Sequence, residues 1–172
     1  MNAYCRLLVG LSLAAVPATA QASEIFGGIY AHDVDSPLTL SGIEGGLDVQ
    51  LGWRGNRIGR TPIQPYALVS AHTEGETHFA ALGISARFGD RLFIRPGLGL
   101  AVHTGSADNF NRTDRIAFGS RVLFAPELGI GAQITDQVSV EASIVHLSHG
   151  TLFGRQNPGM DSVGVRLNFD LP

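Results

Sequence analysis

Residues 92–102 read LFIRPGLGLAV, and the character of the side chains changes at almost every step. The even-numbered positions include Leu92, Ile94, Leu98, Leu100 and Val102. The odd-numbered positions are Phe93, Arg95, Gly97, Gly99 and Ala101. A period of two is the signature of a β-strand with two different faces. One face of this strand is uniformly apolar, whereas the other mixes small residues with a charge.

The same alternation recurs in residues 121–131 and 162–169. A soluble sandwich would bury its apolar face and expose a surface rich in charge. Here the second face is instead rich in Gly and Ala with scattered single charges, which suits the cramped interior of a small closed barrel. The pattern predicts an all-β fold, an eight-stranded antiparallel transmembrane β-barrel of the outer membrane of a Gram-negative cell. A periplasmic or secreted β-sandwich is the alternative.

Eight segments carry the strand pattern, and turn residues separate them. They are Ser23 to Asp33, Ser41 to Arg54, Ile63 to Thr73, Glu76 to Phe88, Arg91 to Thr104, Ala117 to Ile134, Gln137 to Ser148 and Asp161 to Phe169. Most have at least nine residues, which is long for a soluble strand and suitable for a tilted strand that crosses a bilayer. With the N-terminus in the periplasm, the connections at 34–40, 74–75, 105–116 and 149–160 would face outward.

Charged residues on the inward parity should compensate one another, because an unpaired charge inside the barrel would be costly. The predicted set is Glu44, Asp48, Glu127 and Glu141 against Arg87, Arg95, Arg121 and Arg166.

Residues 1–22 have the pattern of a cleaved signal peptide, with Arg6 before an apolar run and small residues at 18–22. Residues 23–172 then form a single barrel domain. The only cysteine, Cys5, lies inside the signal, so thiol chemistry is excluded from the mature chain. The net charge of −3, from 12 basic and 15 acidic residues, argues against a nucleic-acid partner.

Polar residues interrupt the apolar face near the ends of the last two strands. Val138, Val140, Ala142 and Ile144 define that face of the seventh strand, and the same parity includes His146 and Ser148. The apolar parity of the eighth strand includes Asp161. Ser, His and a carboxylate at this spacing on adjacent strands can hydrogen-bond in series and activate the serine as a nucleophile. Alternatively, His146 and Ser148 are interfacial residues and Asp161 caps a turn.

The other histidines suggest no metal site. His32, His72, His78 and His103 are predicted at the interface or rim, and no HExxH or similar ligand spacing occurs. The sequence therefore predicts neither a metal nor another cofactor. GxSxG, GxGxxG and Walker motifs are also missing from the sequence, so soluble hydrolase and nucleotide-binding functions have no support.

The C-terminal region resembles a known enzyme family. Residues 146–150, HLSHG, are followed by NPGMD at 157–161 and by the strand SVGVRLNF at 162–169. These segments are similar to the PagL-type lipid A 3-O-deacylases, and the size, signal and strand pattern agree over the whole mature chain. The resemblance implies an outer-membrane barrel that hydrolyses the ester-linked acyl chain at position 3 of lipid A, without a metal.

The resemblance also implies roles for individual residues. Ser148 corresponds to the nucleophile, His146 to the general base and acid, and Asp161 to the acid that orients the imidazole. At least one member of the family has Glu as this acid. The family has Asn after the serine as an oxyanion donor, and His149 stands here instead, so His149 or the amide of Gly150 would supply that donor. Independently of the resemblance, Arg112, Arg115 and Arg155 lie in outward connections and are candidates for pairing with lipid phosphates. Solvated loop charges are the alternative for these three residues.

Two other functions remain open on the sequence alone. One is a non-enzymatic barrel that acts as an adhesin or structural protein, and the other is an acyl hydrolase or transferase that acts on a different outer-membrane lipid. The expected partners are lipopolysaccharide, through its lipid A, and membrane lipid. Whether two barrels pair as a homodimer, and which acyl-chain length is preferred, are not evident from the sequence.

Overall fold

The structure, a computed structural model, describes residues 23–37, 39, 42–109 and 115–172. The predicted signal at 1–22 lies outside these residues. The eight strands are β1 Glu24–Ala31, β2 Leu47–Arg54, β3 Ile63–His72, β4 Phe79–Ala86, β5 Leu92–His103, β6 Val122–Gln133, β7 Val138–Leu147 and β8 Met160–Asp170. Each strand pairs antiparallel with the next, and β8 pairs with β1 to close the barrel. The predicted eight-stranded antiparallel barrel is confirmed.

The outer wall of the barrel is apolar, as the alternation predicts. On β5, Leu92 is 77% exposed, whereas its neighbour Phe93 is 2% exposed. The outward residues of β8, Val163, Val165, Leu167 and Phe169, are exposed in the same way. A closed sheet that exposes its large apolar face needs lipid around it, and closure leaves no unpaired strand edge in the hydrocarbon. The protein is therefore located in the outer membrane.

Two predicted strands begin five or more residues later than expected. β2 begins at Leu47 rather than Ser41, because the carboxylate of Asp33 accepts the amides of Gly42, Ile43 and Glu44 and holds them in a loop. β6 begins at Val122 rather than Ala117, because Ala117 bridges Ser106 and the amide of Phe118 donates to the carbonyl of Ser106 within the connection. The described residues of the connections 32–46, 104–121 and 148–159 cover one end of the barrel, where Asp33, Ile116 and His149 are buried.

The barrel interior holds a neutral network of three arginines and three glutamates. Arg54 contacts Glu24 at 2.7 Å and Glu127 at 3.2 Å, and Arg166 contacts Glu127 at 3.1 Å. Arg95 also pairs with Glu24, and Arg166 with Glu141. The side chains of all six residues are at most 1% exposed.

The predicted interior set is therefore only partly right. Glu127, Glu141, Arg95 and Arg166 belong to the network, but Glu24 and Arg54 complete it and were not predicted. Glu44 and Asp48 pair with His32 instead. Arg87 donates to Gln133 and to the carbonyl of Asp90, whereas Arg121 is exposed and binds the carbonyls of His103 and Gly105. The alternation of residues along a strand shows which face a side chain is on, but not how far along the barrel axis it lies. It therefore could not separate residues at the rim from residues in the core.

Small residues make room for the network. A Cβ added at Gly129 would collide with the carboxyl group of Glu141, and one at Gly52 would collide with the ring of Phe26. Arg54 stacks on that same ring, 4.1 Å from its centroid. The described part of the chain contains no helix that is long and apolar enough to cross a membrane.

The interior network predicts a large stability effect for Glu127→Ala. The substitution leaves Arg54 and Arg166 without a shared carboxylate partner, and breaking a buried pair in this way costs about 3–5 kcal/mol. Reversible guanidinium unfolding of the barrel in lipid vesicles measures the loss. Leu128→Ala, one residue away on the lipid side, is the matched control and should cost much less. Equal losses for the two variants would contradict the importance of the network.

Candidate active site on the outer wall

The register of β7 and β8 places His146 directly opposite Asp161. Directly opposed residues of an antiparallel pair share a face, so both side chains leave the same side of the wall. His146 Nδ1 lies 2.6 Å from Asp161 Oδ1. This contact defines the tautomer, because an ionised carboxylate only accepts and Nδ1 must carry the proton.

Ser148 lies two residues beyond His146 on the same side of the chain. Its backbone forms an isolated bridge with Phe124 of β6, with N to O distances of 2.7 and 3.1 Å in the two directions. Ser148 Oγ is 2.8 Å from His146 Nε2, within the range of a good hydrogen bond. The three predicted residues Ser148, His146 and Asp161 therefore form one continuous hydrogen-bonded chain.

The connection after β1 covers the acid end of this chain. The Asp161 side chain is 0% exposed, while that of His146 is 19% exposed. Ser36 Oγ donates to Asp161 Oδ2, and the amide of Val34 donates to the Asp161 carbonyl at 2.8 Å. Asp161 is thus held by hydrogen bonds on two sides, whereas the imidazole stays accessible.

Ser36 and Gly159 are site residues that the sequence did not reveal. Gly159 has a φ of 73°, and a Cβ there would lie 3.2 Å from His146 Cε1 and 3.0 Å from a methyl group of Thr39. Gly159 therefore suits both the left-handed backbone and the space beside the imidazole. Ser36 could not have been found, because it is 125 positions away from Asp161 in the sequence.

His149 holds the loops together and does not point an N–H group at Ser148. Its Nε2 lies 2.9 Å from the carbonyl of Phe118 and 2.8 Å from that of Gln156, while Nδ1 accepts the amide of Phe153 at 3.3 Å. Its backbone amide donates to Asn157 Oδ1 at 2.8 Å. Both N–H groups of His149 are occupied, so the idea that His149 supplies the oxyanion donor does not fit the geometry.

Gly150 and two of the three predicted arginines lie in the long connections of the described chain. Gly150 is exposed with a φ of 57°, and its amide makes no hydrogen bond to the described residues. Arg155 and Arg115 are exposed in the long connections, and no contact joins either of them to the three-residue chain. Arg112 lies outside the described residues.

Apolar side chains frame Ser148 on the membrane side. Phe124, which pairs with Ser148 through the backbone, stacks on Phe153 with ring centroids 5.7 Å apart. Phe153 is 53% exposed and its neighbour Leu152 is 72% exposed, although both belong to a connection. Exposed apolar loop residues beside an apolar wall provide a surface on which an acyl chain can lie.

The remaining histidines are not all where the sequence suggested. His32, His72 and His103 were predicted at the interface or rim, but all three are buried, at 3%, 4% and 5% exposure. His32 and His72 lie against acidic residues inside the barrel, and His103 Nε2 bonds the carbonyl of Ser120. His78 is only partly buried, and its Nδ1 accepts the amide of His72. The long connections cover the barrel end, which strand parity alone did not indicate.

These features define an outer-membrane β-barrel with a serine, a histidine and an aspartate hydrogen-bonded on its lipid-side wall. Residues 41–170 match the family described as Lipid A 3-O-deacylase (PagL). The chain belongs to this family, and at family level it is a lipid A deacylase, a hydrolase of the outer membrane. No curated protein matches the sequence significantly.

Solved structures agree on the fold. The crystal structure of the outer membrane enzyme PagL is 18% identical and has a TM-score of 0.60, and the match covers 86% of this chain and 99% of that chain. A de novo designed transmembrane β-barrel is 8% identical, with a TM-score of 0.56 and coverage of 89% and 98%. The crystal structure of Neisserial surface protein A is 13% identical, with a TM-score of 0.54 and coverage of 90% and 100%.

The contacts of His149 predict that His149→Ala loosens the loop 149–156 and lowers activity indirectly. The substitution removes the side-chain hydrogen bonds to three backbone groups, at about 1–3 kcal/mol for buried partners left unsatisfied. Trypsin cleavage after exposed Arg155 should become faster in the folded barrel. His149→Gln, whose amide can still donate to the carbonyls, should restore protection and activity together. Protection without activity in His149→Gln would instead implicate the imidazole in the reaction.

Proposed function

We propose that this protein is a serine esterase that hydrolyses the ester-linked acyl chain at position 3 of lipid A in the outer leaflet. The observation that carries the proposal is the hydrogen-bonded chain from Asp161 through His146 to Ser148 on the lipid-side wall. A nucleophile on this wall meets lipids, not water-soluble substrates. The match to the lipid A 3-O-deacylase family supports lipid A as the substrate and position 3 as the bond.

The first half-reaction forms an acyl-enzyme. Ser148 Oγ attacks the ester carbonyl while its proton passes to His146 Nε2, and the Asp161 carboxylate stabilises the resulting imidazolium through Nδ1. The tetrahedral intermediate collapses, the bond between the carbonyl carbon and the sugar oxygen breaks, and His146 returns the proton to that oxygen. The deacylated sugar hydroxyl leaves, and the fatty acyl group remains on Ser148.

The second half-reaction regenerates the enzyme. Water attacks the acyl-enzyme with His146 as the general base, and the fatty acid leaves as Ser148 regains its proton. The site lies beside described residues of the connections after β1 and β7, including Val34, Ser36 and Gly159. Water can therefore reach the acyl-enzyme from the loops while the chains of the substrate stay in the membrane.

The oxyanion and the substrate head group require further contacts. The amide of Gly150, which is not bonded to the described residues and follows Ser148 by two positions, is our candidate oxyanion donor. A donor of this kind contributes about 2.7–4 kcal/mol in well-studied hydrolases. Arg155 and Arg115 are exposed on the same end of the barrel, and with Arg112 they are the candidates for contact with substrate phosphates.

The function predicts a specific change in the lipid A of cells that express this protein. Mass spectra should show the loss of one hydroxyacyl chain with the wild type and no change with Ser148→Ala, because the variant has no nucleophile. Ser143→Ala is the matched control, since Ser143 points into the barrel from the same strand and bonds Tyr30. It should deacylate lipid A like the wild type.

Each other result would contradict part of the proposal. Loss of the chain with Ser148→Ala would mean that another residue is the nucleophile. Unchanged lipid A with a folded wild-type barrel in detergent-solubilised membranes would favour a non-enzymatic barrel. A lysophospholipid or a newly acylated product would indicate a different lipid substrate or an acyl transferase.

The apolar frame of the site predicts a role for Phe153 in holding the acyl chain. Phe153→Ala removes the ring that stacks on Phe124, so kcat/KM should fall about 10-fold, or roughly 1.4 kcal/mol, for a long-chain ester. The loss should be smaller for a short-chain ester in the same detergent assay. Ile134→Ala, an exposed apolar residue at the opposite end of the barrel, should leave both rates unchanged. Equal losses for both esters would place Phe153 outside the acyl-binding surface.

A further inference from the structure

Three buried polar side chains meet inside the barrel, at the end that carries the long connections. Asp48 of β2 and His72 of β3 are direct partners in the strand register. His32, immediately after β1, brings its ring within 4.1 Å of the His72 ring, centroid to centroid. The side chains of all three are 0% exposed.

The donor atoms of these residues are close to the spacing of a metal site. One donor atom from each of His32, Asp48 and His72 lies within 4.8 Å of the others. His32 Nδ1 and His72 Nδ1 lie 2.8 and 3.7 Å from the same oxygen, Asp48 Oδ1. Donors of a tetrahedral Zn²⁺ site, with bonds of about 2.0–2.2 Å, are separated by about 3.3–3.6 Å. Small side-chain movements would bring the three atoms to that spacing.

His72 lacks the hydrogen bonds that a buried imidazole normally makes. Neither of its ring nitrogens has a hydrogen-bond partner in the described part of the chain, although the side chain is fully buried. Leaving a buried polar group without a hydrogen-bond partner destabilises the folded protein. A cation between His72 and Asp48 would satisfy one of these nitrogens directly.

The surroundings match the outer shell of a metal site. The other nitrogen of His32, Nε2, lies 3.2 Å from Glu44 Oε2, and the other nitrogen of His72 lies 3.7 Å from Glu76 Oε2. Asp48 Oδ2 accepts a hydrogen bond from Ser162 at 3.1 Å. Metal-bound histidines characteristically direct their second nitrogen at a carboxylate, and ligating carboxylates are themselves hydrogen-bonded.

The charges of the cluster also favour a cation. Three carboxylates, those of Asp48, Glu44 and Glu76, lie within 4 Å of the ring nitrogens of His32 and His72. A divalent ion would supply two positive charges among these carboxylates, and it would coordinate both imidazoles in their neutral form.

We propose that His32, Asp48 and His72 bind one divalent transition-metal ion of the Zn²⁺ type, with Glu44, Glu76 and Ser162 as supporting residues. Two nitrogen donors and one oxygen donor favour Zn²⁺ over Mg²⁺ or Ca²⁺, which prefer oxygen ligands. The ion ties together the ends of β1, β2 and β3 and, through Ser162, the start of β8. Its role is structural, and it does not depend on the proposed esterase reaction.

Metal binding to the folded protein, extracted from the outer membrane and stripped with a chelator, tests this site. With ZnCl₂, elemental analysis after dialysis should find one Zn²⁺ per chain and calorimetry should give a binding isotherm, while MgCl₂ gives none. Co²⁺ should produce the visible absorption of a tetrahedral site. His72→Gln should weaken Zn²⁺ binding at least 100-fold, whereas His103→Gln, a buried histidine outside the cluster, should bind like the wild type.

Glu76→Gln keeps the test decisive if His72→Gln does not fold. Glu76 lies in the connection after β3, and its side chain is 26% exposed, so the barrel should tolerate the change. Loss of this supporting carboxylate should weaken Zn²⁺ binding about 10–100-fold. Wild-type protein that binds no Zn²⁺ at 100-fold molar excess, or equal binding by the wild type, Glu76→Gln and His72→Gln, would overturn the proposal. The proposal would also be overturned if MgCl₂ raised the thermal stability of the barrel as much as ZnCl₂ does.

Discussion

The seam between β1 and β8 is the constraint on which the rest of this structure depends. In the hydrocarbon every backbone amide and carbonyl must be paired, so the sheet is viable only when its first and last strands join. The seam runs from the pair Glu24 and Asp170 to the pair Ala31 and Val163. It continues beyond β1, where the amide of Val34 bonds the carbonyl of Asp161. Closure therefore carries the chain after β1 over the acid of the candidate active site.

Closure also places two polar centres back to back in one wall. Successive residues of a strand point to opposite faces, so Asp161 faces His146 on the outside while Ser162 faces Asp48 on the inside. The connection after β1 serves both centres, because His32 reaches inward to Asp48 and Ser36 reaches outward to Asp161. A substitution that displaces this connection would therefore disturb both polar centres, because separate hydrogen bonds link the connection to each of them.

The period of two in the sequence was enough to predict the wall of the barrel. The eight strands, their inward and outward faces and the outward positions of His146, Ser148 and Asp161 all depend on parity, which is a local property. Contacts that depend on barrel closure or on packing between loops were not predictable in the same way. Arg54 finds Glu24 and Glu127 across the lumen, and His149 bonds the carbonyl of Phe118 in another connection. The start of β2 was misplaced because a side chain, Asp33, competes with the sheet for backbone amides.

The position of Ser148 at the end of β7 gives it access to membrane lipid and keeps the neighbouring charges out of the hydrocarbon. The proposed nucleophile must open to the outer wall to meet a membrane lipid, yet the proposed reaction passes through an imidazolium, which is costly in hydrocarbon. Different residues of the hydrogen-bonded chain meet the two requirements. Asp161 is fully buried and held by Ser36, so its negative charge is not exposed to lipid, while His146 keeps the partial exposure that contact with an ester requires. Phe124 and Phe153 extend the apolar wall up to the serine. In the proposed reaction, the charged intermediate would form beside the connections, while the acyl chain of the substrate stays against the apolar wall.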